Sequence, residues 1–137
     1  MRFQPEYPEQ IGHEIGRRLG IAWSAATAQD KPGYLTNGPC VAEPMDGKHR
    51  VTWRVMTDKS DGSGDTAVLD VRSGDKILAS KSITREDFSD PAAWKNFSLV
   101  FRTQGEKALE FRTYWTGKAN LQVDWVTYEI AADRKGG

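Results

Sequence analysis

Trp115, Lys118 and Asn120 fall within one short loop between two runs of alternating residues. An indole beside an amide suits a sugar ring. The π-face covers the apolar C–H face of a pyranose, while the amide both donates to and accepts from its hydroxyls. The flanking runs must position that pair, and residues 109–130 read as a β-hairpin. Leu109, Phe111 and Thr113 point one way and Glu110, Arg112 and Tyr114 the other. Beyond the loop, Leu121, Val123 and Trp125 oppose Gln122, Asp124 and Val126.

The other residues capable of chemistry form no catalytic pattern. His13 and His49 are the only imidazoles, and HEIGR at residues 13–17 is one residue short of HExxH, with Arg17 where a second zinc ligand would stand. No GxSxG elbow, P-loop or GxGxxG accompanies them. Cys40 is alone, which excludes an intrachain disulfide, a thiolate zinc site and a redox CxxC. Asp87 and Asp90 in REDFSDP flank a proline turn, where acids are ordinary turn chemistry. A glycosidase needs two carboxylates across a cleft, roughly 5–10 Å apart, a separation that sequence alone does not establish. Binding is therefore the stronger reading and a small glycan-active enzyme the weaker one.

Lys plus Arg and Asp plus Glu balance at 19 each, so nucleic acid and anionic membrane are not expected partners and a neutral ligand is. Apolar residues make up 38% of the 137-residue chain, below the roughly 45–50% usual when Gly is also counted, which fits a half-solvated antiparallel β-protein. Five Trp exceed what a small sandwich need bury, so some are expected on the surface. The segment MRFQPEYPEQ has no apolar run like a signal peptide or membrane span. The expectation is a cytoplasmic protein, or an extracellular module cut from a longer secreted chain.

One domain is expected over residues 1–137, with its core at about 3–130 and no internal repeat. Ile11, Ile15 and Leu19 recur every four residues and predict a helix over 8–19, weakened by Gly12 and Gly16. Strands are predicted at 21–25, 34–36, 49–57, 66–72, 77–84, 95–103, 108–115 and 121–130. KPG, MDGK, SDGSGD, SGD, DPAA, QGEK and TGKAN mark the turns. Short strands so spaced mean an all-β sandwich or barrel. Val51, Trp53 and Val55, then Ala67, Leu69 and Val71, then Phe97, Leu99 and Phe101 alternate as inward faces. Trp53 and Trp125 are expected in the core, Trp94 and Trp115 at the surface.

In order, GIAWSA, GYLTNGP, HRVTWRVMT, TAVLDV, ILASKSI, AAWKNFSLVF, LEFRTYW and ANLQVDW resemble the β-jelly-roll carbohydrate-binding modules of families 6 and 35. The resemblance spans roughly residues 3 to 130 and lies in the order of the pieces. It implies a galactose-binding-domain-like sandwich of two antiparallel sheets. It also implies a shallow aromatic cleft at the loop end, with Tyr34 and Trp94 as walls and Asn120 as the hydrogen-bonding base; Trp115 is an added candidate. A structural calcium is implied too, with Glu6 and Asp124 as ligands, although Gln4 stands where a second early acid is expected. Without the ion, Asp124 would bond to backbone or pair with Arg17 or Arg18.

Two binding classes follow. One is a carbohydrate-binding module or small lectin for an oligosaccharide or polysaccharide, with a companion catalytic domain in a longer chain. The other is an assembly domain that docks protein through an apolar patch of Trp94, Trp115 and Tyr114. Aromatics isolated among Asn, Lys and Asp favour the sugar.

Overall fold

The computed structural model describes residues 2–3, 13–19, 22–42, 44–57, 65–88 and 93–130. Among the described residues, ten strands form two antiparallel sheets. The first runs β2(Arg17–Leu19), β3(Ala22–Ala25), β10(Leu121–Ile130), β5(Gly47–Thr57), β8(Lys95–Thr103), with β1(Arg2–Phe3) also on β10. The second runs β4(Gly33–Ala42), β9(Ala108–Trp115), β6(Asp65–Ser73), β7(Lys76–Thr84). This is the expected all-β jelly-roll sandwich.

The period-two pattern explains the packing. Val51, Trp53, Val55, Ala67, Leu69 and Val71 are fully enclosed, and Phe97, Leu99 and Phe101 are buried beside them. Phe111 of the second sheet meets Phe101 and Tyr128 of the first at ring separations of 6.4 and 5.3 Å. Asp87 performs the turn chemistry read from REDFSDP, its carboxylate accepting from the Thr84 amide at 2.8 Å. Asp90 lies outside the described residues.

Three expectations are corrected. The helix over 8–19 is replaced, where described, by an extended segment and the strand Arg17–Leu19; residues 8–12 lie outside the described set. Docking against β3 and β4 wins over the four-residue spacing. His13 stacks on Trp23 at 3.8 Å, the Trp23 indole donates to the Ile15 carbonyl, and the Glu14 amide donates to the Tyr34 carbonyl. Gly16 makes this approach possible: its φ is +91°, and an added Cβ would lie 2.6–2.8 Å from Leu35, the Ser24 carbonyl and Trp23.

Trp125 was expected inside and faces outward. The ladder between β10 and β5 shifts register between Val123 and Trp125, so Leu121 and Val123 face the core, and then Val126 and Tyr128 do. Trp115 was expected exposed and is fully enclosed, because it extends the inward series Leu109, Phe111, Thr113 by one more alternate position.

Candidate functional site

The ends of β3, β5 and β9 and the starts of β4, β8 and β10 lie at one end of the sandwich, where Tyr34, Trp94, Trp115 and Asn120 all sit. They do different things there. Tyr34 lies on the outer side of the four-stranded sheet, its ring 5.2 Å from Tyr114 and 4.7 Å from the Arg112 guanidinium. Arg112 in turn holds Asp70 through Nε (2.8 Å) and Nη2 (2.7 Å), and this hydrogen-bonded pairing raises its pKa despite the burial that opposes it. Trp94 lies on the outer side of the other sheet, with the Arg54 guanidinium 5.5 Å from its ring. With Trp115 enclosed and Tyr114 and Trp94 on different sheets, the patch expected for protein docking is not formed.

Trp115 acts from inside, its indole donating to the Ala119 carbonyl at 2.7 Å. Thr57 donates its hydroxyl to the Asn120 carbonyl at 3.0 Å, and Asn120 Oδ1 accepts from the Thr27 amide at 2.8 Å. Loop residues 116–120 are thereby tied to β5 and to the turn after β3, which leaves Asn120 fixed at the rim of a groove of about 250 Å³.

That groove crosses the outer side of the five-strand path. Arg17 and Leu19 line it from β2, Ser24 from β3, Gln122 from β10 and Met56 from β5, with Ala26, Gln29 and Asn120 closing the loop end. The register pairing Val55 with Lys95 continues one step to set Trp94 beside Met56. Of the predicted site residues, Asn120 lines this groove, whereas Trp94 lies on the same outer side of the sheet but outside the lining. Sequence reading did not single out Gln122, Ser24, Arg17, Leu19 or Met56. Gln122 was already assigned outward by alternation, but the helix reading of residues 17–19 concealed the strand that makes the far wall.

Arg17 Nη2 donates to both Asp30 oxygens at 2.8 and 2.9 Å, and Asp30 also accepts from the Ala26 amide at 2.8 Å. Burial pushes the Asp30 carboxyl up, yet the Ala26 amide and the Arg17 cation together hold it below the usual range. Asp30 is thus a buried anchor behind the loop, with a side chain 9% exposed against 42% for Arg17.

Of the two expected calcium ligands, only Asp124 is described. Asp124 Oδ2 pairs with Arg54 Nε at 3.2 Å, rather than with Arg17 or Arg18, and among the described residues no three carboxylates, imidazoles or thiols come together. Calcium takes about six to eight oxygen ligands. Glu6 lies outside the described residues.

No family model matches the sequence, and no curated protein does. Solved structures do match in fold. A family 6 carbohydrate-binding module of Cellvibrio mixtus lichenase 5A, solved with cellotriose, aligns over 96% of this chain and 98% of its own with a TM-score of 0.57 at 13% identity. The C-terminal family 6 module of LamC, a marine laminarinase of Zobellia galactanivorans, aligns over 93% and 97% with a TM-score of 0.55 at 14% identity. A Stig cyclase of Fischerella sp. TAU also aligns, over 96% and 85%, with a TM-score of 0.52 at 13% identity. At such identities the likeness is one of fold: the chain has a family 6-like β-sandwich.

Proposed function

We propose that this sandwich is a non-catalytic glycan-binding module, and that a sugar chain lies in the groove on the outer side of the five-strand path. The carrying observation is the lining itself. Ser24, Gln29, Asn120 and Gln122 offer uncharged donors and acceptors, interleaved with the apolar surfaces of Leu19, Ala26 and Met56. A pyranose has the same mixture, hydroxyls around its rim and C–H bonds on its faces. Trp94, outside that lining but on the same outer side of the sheet, would extend it with an aromatic surface contributing about 1–2 kcal/mol on burial. Affinity is modest, since an open groove must displace well-hydrated hydroxyls. Tyr34 and Trp115 carry structural tasks here, one over Arg112 and one under the Asn120 loop.

Binding is preferred to catalysis because the described residues of the lining include no carboxylate, imidazole or thiol to move a proton at neutral pH. The cellotriose-bound module of Cellvibrio mixtus supports the ligand class. A companion catalytic domain in a longer chain belongs to the same reading.

A glycan array with Gln122→Ala and Trp94→Ala tests it. Each variant is expected to weaken binding about tenfold, in proportion to one lost buried contact, with the melting temperature nearly unchanged. Absence of any bound glycan, or variants that bind like wild type, would refute the reading.

A further inference from the structure

The charge of the groove is decided by one ion pair. Among the described residues Arg17 is the sole charged one in the lining, and its counterion Asp30 sits outside the lining, behind the loop. Arg17 engages Asp30 through Nη2 alone, so among the described residues its Nε–H and Nη1–H groups make no bond. They remain to donate to a ligand at the groove wall. A hydroxyl or ring oxygen accepts from them without penalty. A sugar carboxylate reaching the same nitrogens would approach the Asp30 carboxylate across a single guanidinium, and like charges that close repel.

We infer that Asp30 is a specificity-determining residue: by neutralising Arg17 from behind the wall, it makes the groove take neutral sugar chains and reject chains bearing uronic acids. This rests on the groove being the glycan site. Asp30 acts through Arg17 and does not touch the sugar, so it is a positioning residue with an electrostatic task. Its bond to the Ala26 amide holds the turn that also carries Thr27 against Asn120, which ties the charge setting to the shape of the rim.

The test uses the whole chain with two sets of hexasaccharides, neutral (xylo-, cello-, laminari- and manno-) and acidic (galacturonate and alginate), by calorimetry. Wild type is expected to bind a neutral hexasaccharide and no acidic one. Asp30→Asn keeps an oxygen for the Ala26 amide but removes the charge. It is expected to shift the acidic-to-neutral affinity ratio by about tenfold, the size of one screened charge at such a separation. That gain should fade as salt is raised and vanish in the Asp30→Asn, Arg17→Gln double variant. Asp30→Ser gives the same reading should the amide variant be unstable. An unchanged ratio in Asp30→Asn, a salt-independent gain, or wild type that binds the acidic set as well as the neutral one overturns the inference while leaving the glycan-binding reading intact. Wild type that binds neither set refutes that reading and the inference with it.

Discussion

Two arginine–aspartate pairs, Arg112–Asp70 on the four-stranded sheet and Arg17–Asp30 at the edge of the other, differ in what is left over. On the four-stranded sheet, Arg112 grips Asp70 with both Nε and Nη2, a tyrosine ring lies over the guanidinium, and the side chains are 10% and 11% exposed. On the other sheet, Arg17 reaches Asp30 through one nitrogen, and the guanidinium stays half exposed at a groove. The first pair closes a surface. The second leaves donors facing outward. The same two residue types thus close a surface in one place and leave donors for the proposed recognition in the other, according to how many guanidinium nitrogens the aspartate takes and whether an aromatic ring covers the rest.

The largest way to break this contrast is by stability. Asp70→Asn leaves a buried guanidinium without its counterion and is expected to cost about 3–5 kcal/mol. Asp30→Asn, whose partner reaches solvent, is expected to cost about 1 kcal/mol or less. Equal losses in denaturant melts would erase the distinction. The tryptophans make a parallel test. Trp53→Ala, at a fully enclosed site, is expected to cost about 3–5 kcal/mol. Trp94→Ala should change the melting temperature little.

A smaller effect separates the ends of the pH scale. Asp30 titrates lower folded than its unfolded value of about 3.9, so its stabilisation is present above about pH 4 and is lost as pH falls through the folded value. Asp30→Asn should flatten that acid limb in pH-dependent melts. Burial pushes the Tyr128 phenol above its ordinary value of about 10, so its contribution is present below about pH 10 and is lost as pH rises through the folded value. Asp30→Asn should leave this alkaline limb as it is. Smallest of all is the expected effect of a chelator. With Asp124 held by Arg54, EDTA should not move the melting temperature. A clear fall would assign Asp124 to a metal instead.

Much of the architecture was legible in the chain because alternation is a local property. The series 51/53/55, 67/69/71 and 97/99/101 needed only the period of a strand to declare its inward face, and the turn residues between them separate β3 to β10, though not β1 and β2. Trp115 obeys the same alternation as the last residue of its strand, and its place beside the loop hides this in the sequence. The candidate site was legible only in part. Asn120 and Trp94 stood out by residue type, whereas Gln122, an outward amide in a strand, resembled any solvated position.

Composition and periodicity by themselves determined an all-β sandwich or barrel, most of its core and its balanced charge. Tertiary structure alone decided three things: the register shift that turns Trp125 outward, the folding of residues 17–19 as an edge strand, and the pairing of Arg17 with Asp30. Each depends on the partner across the sheet or behind the loop, and a pattern read along one strand carries no information about its neighbours.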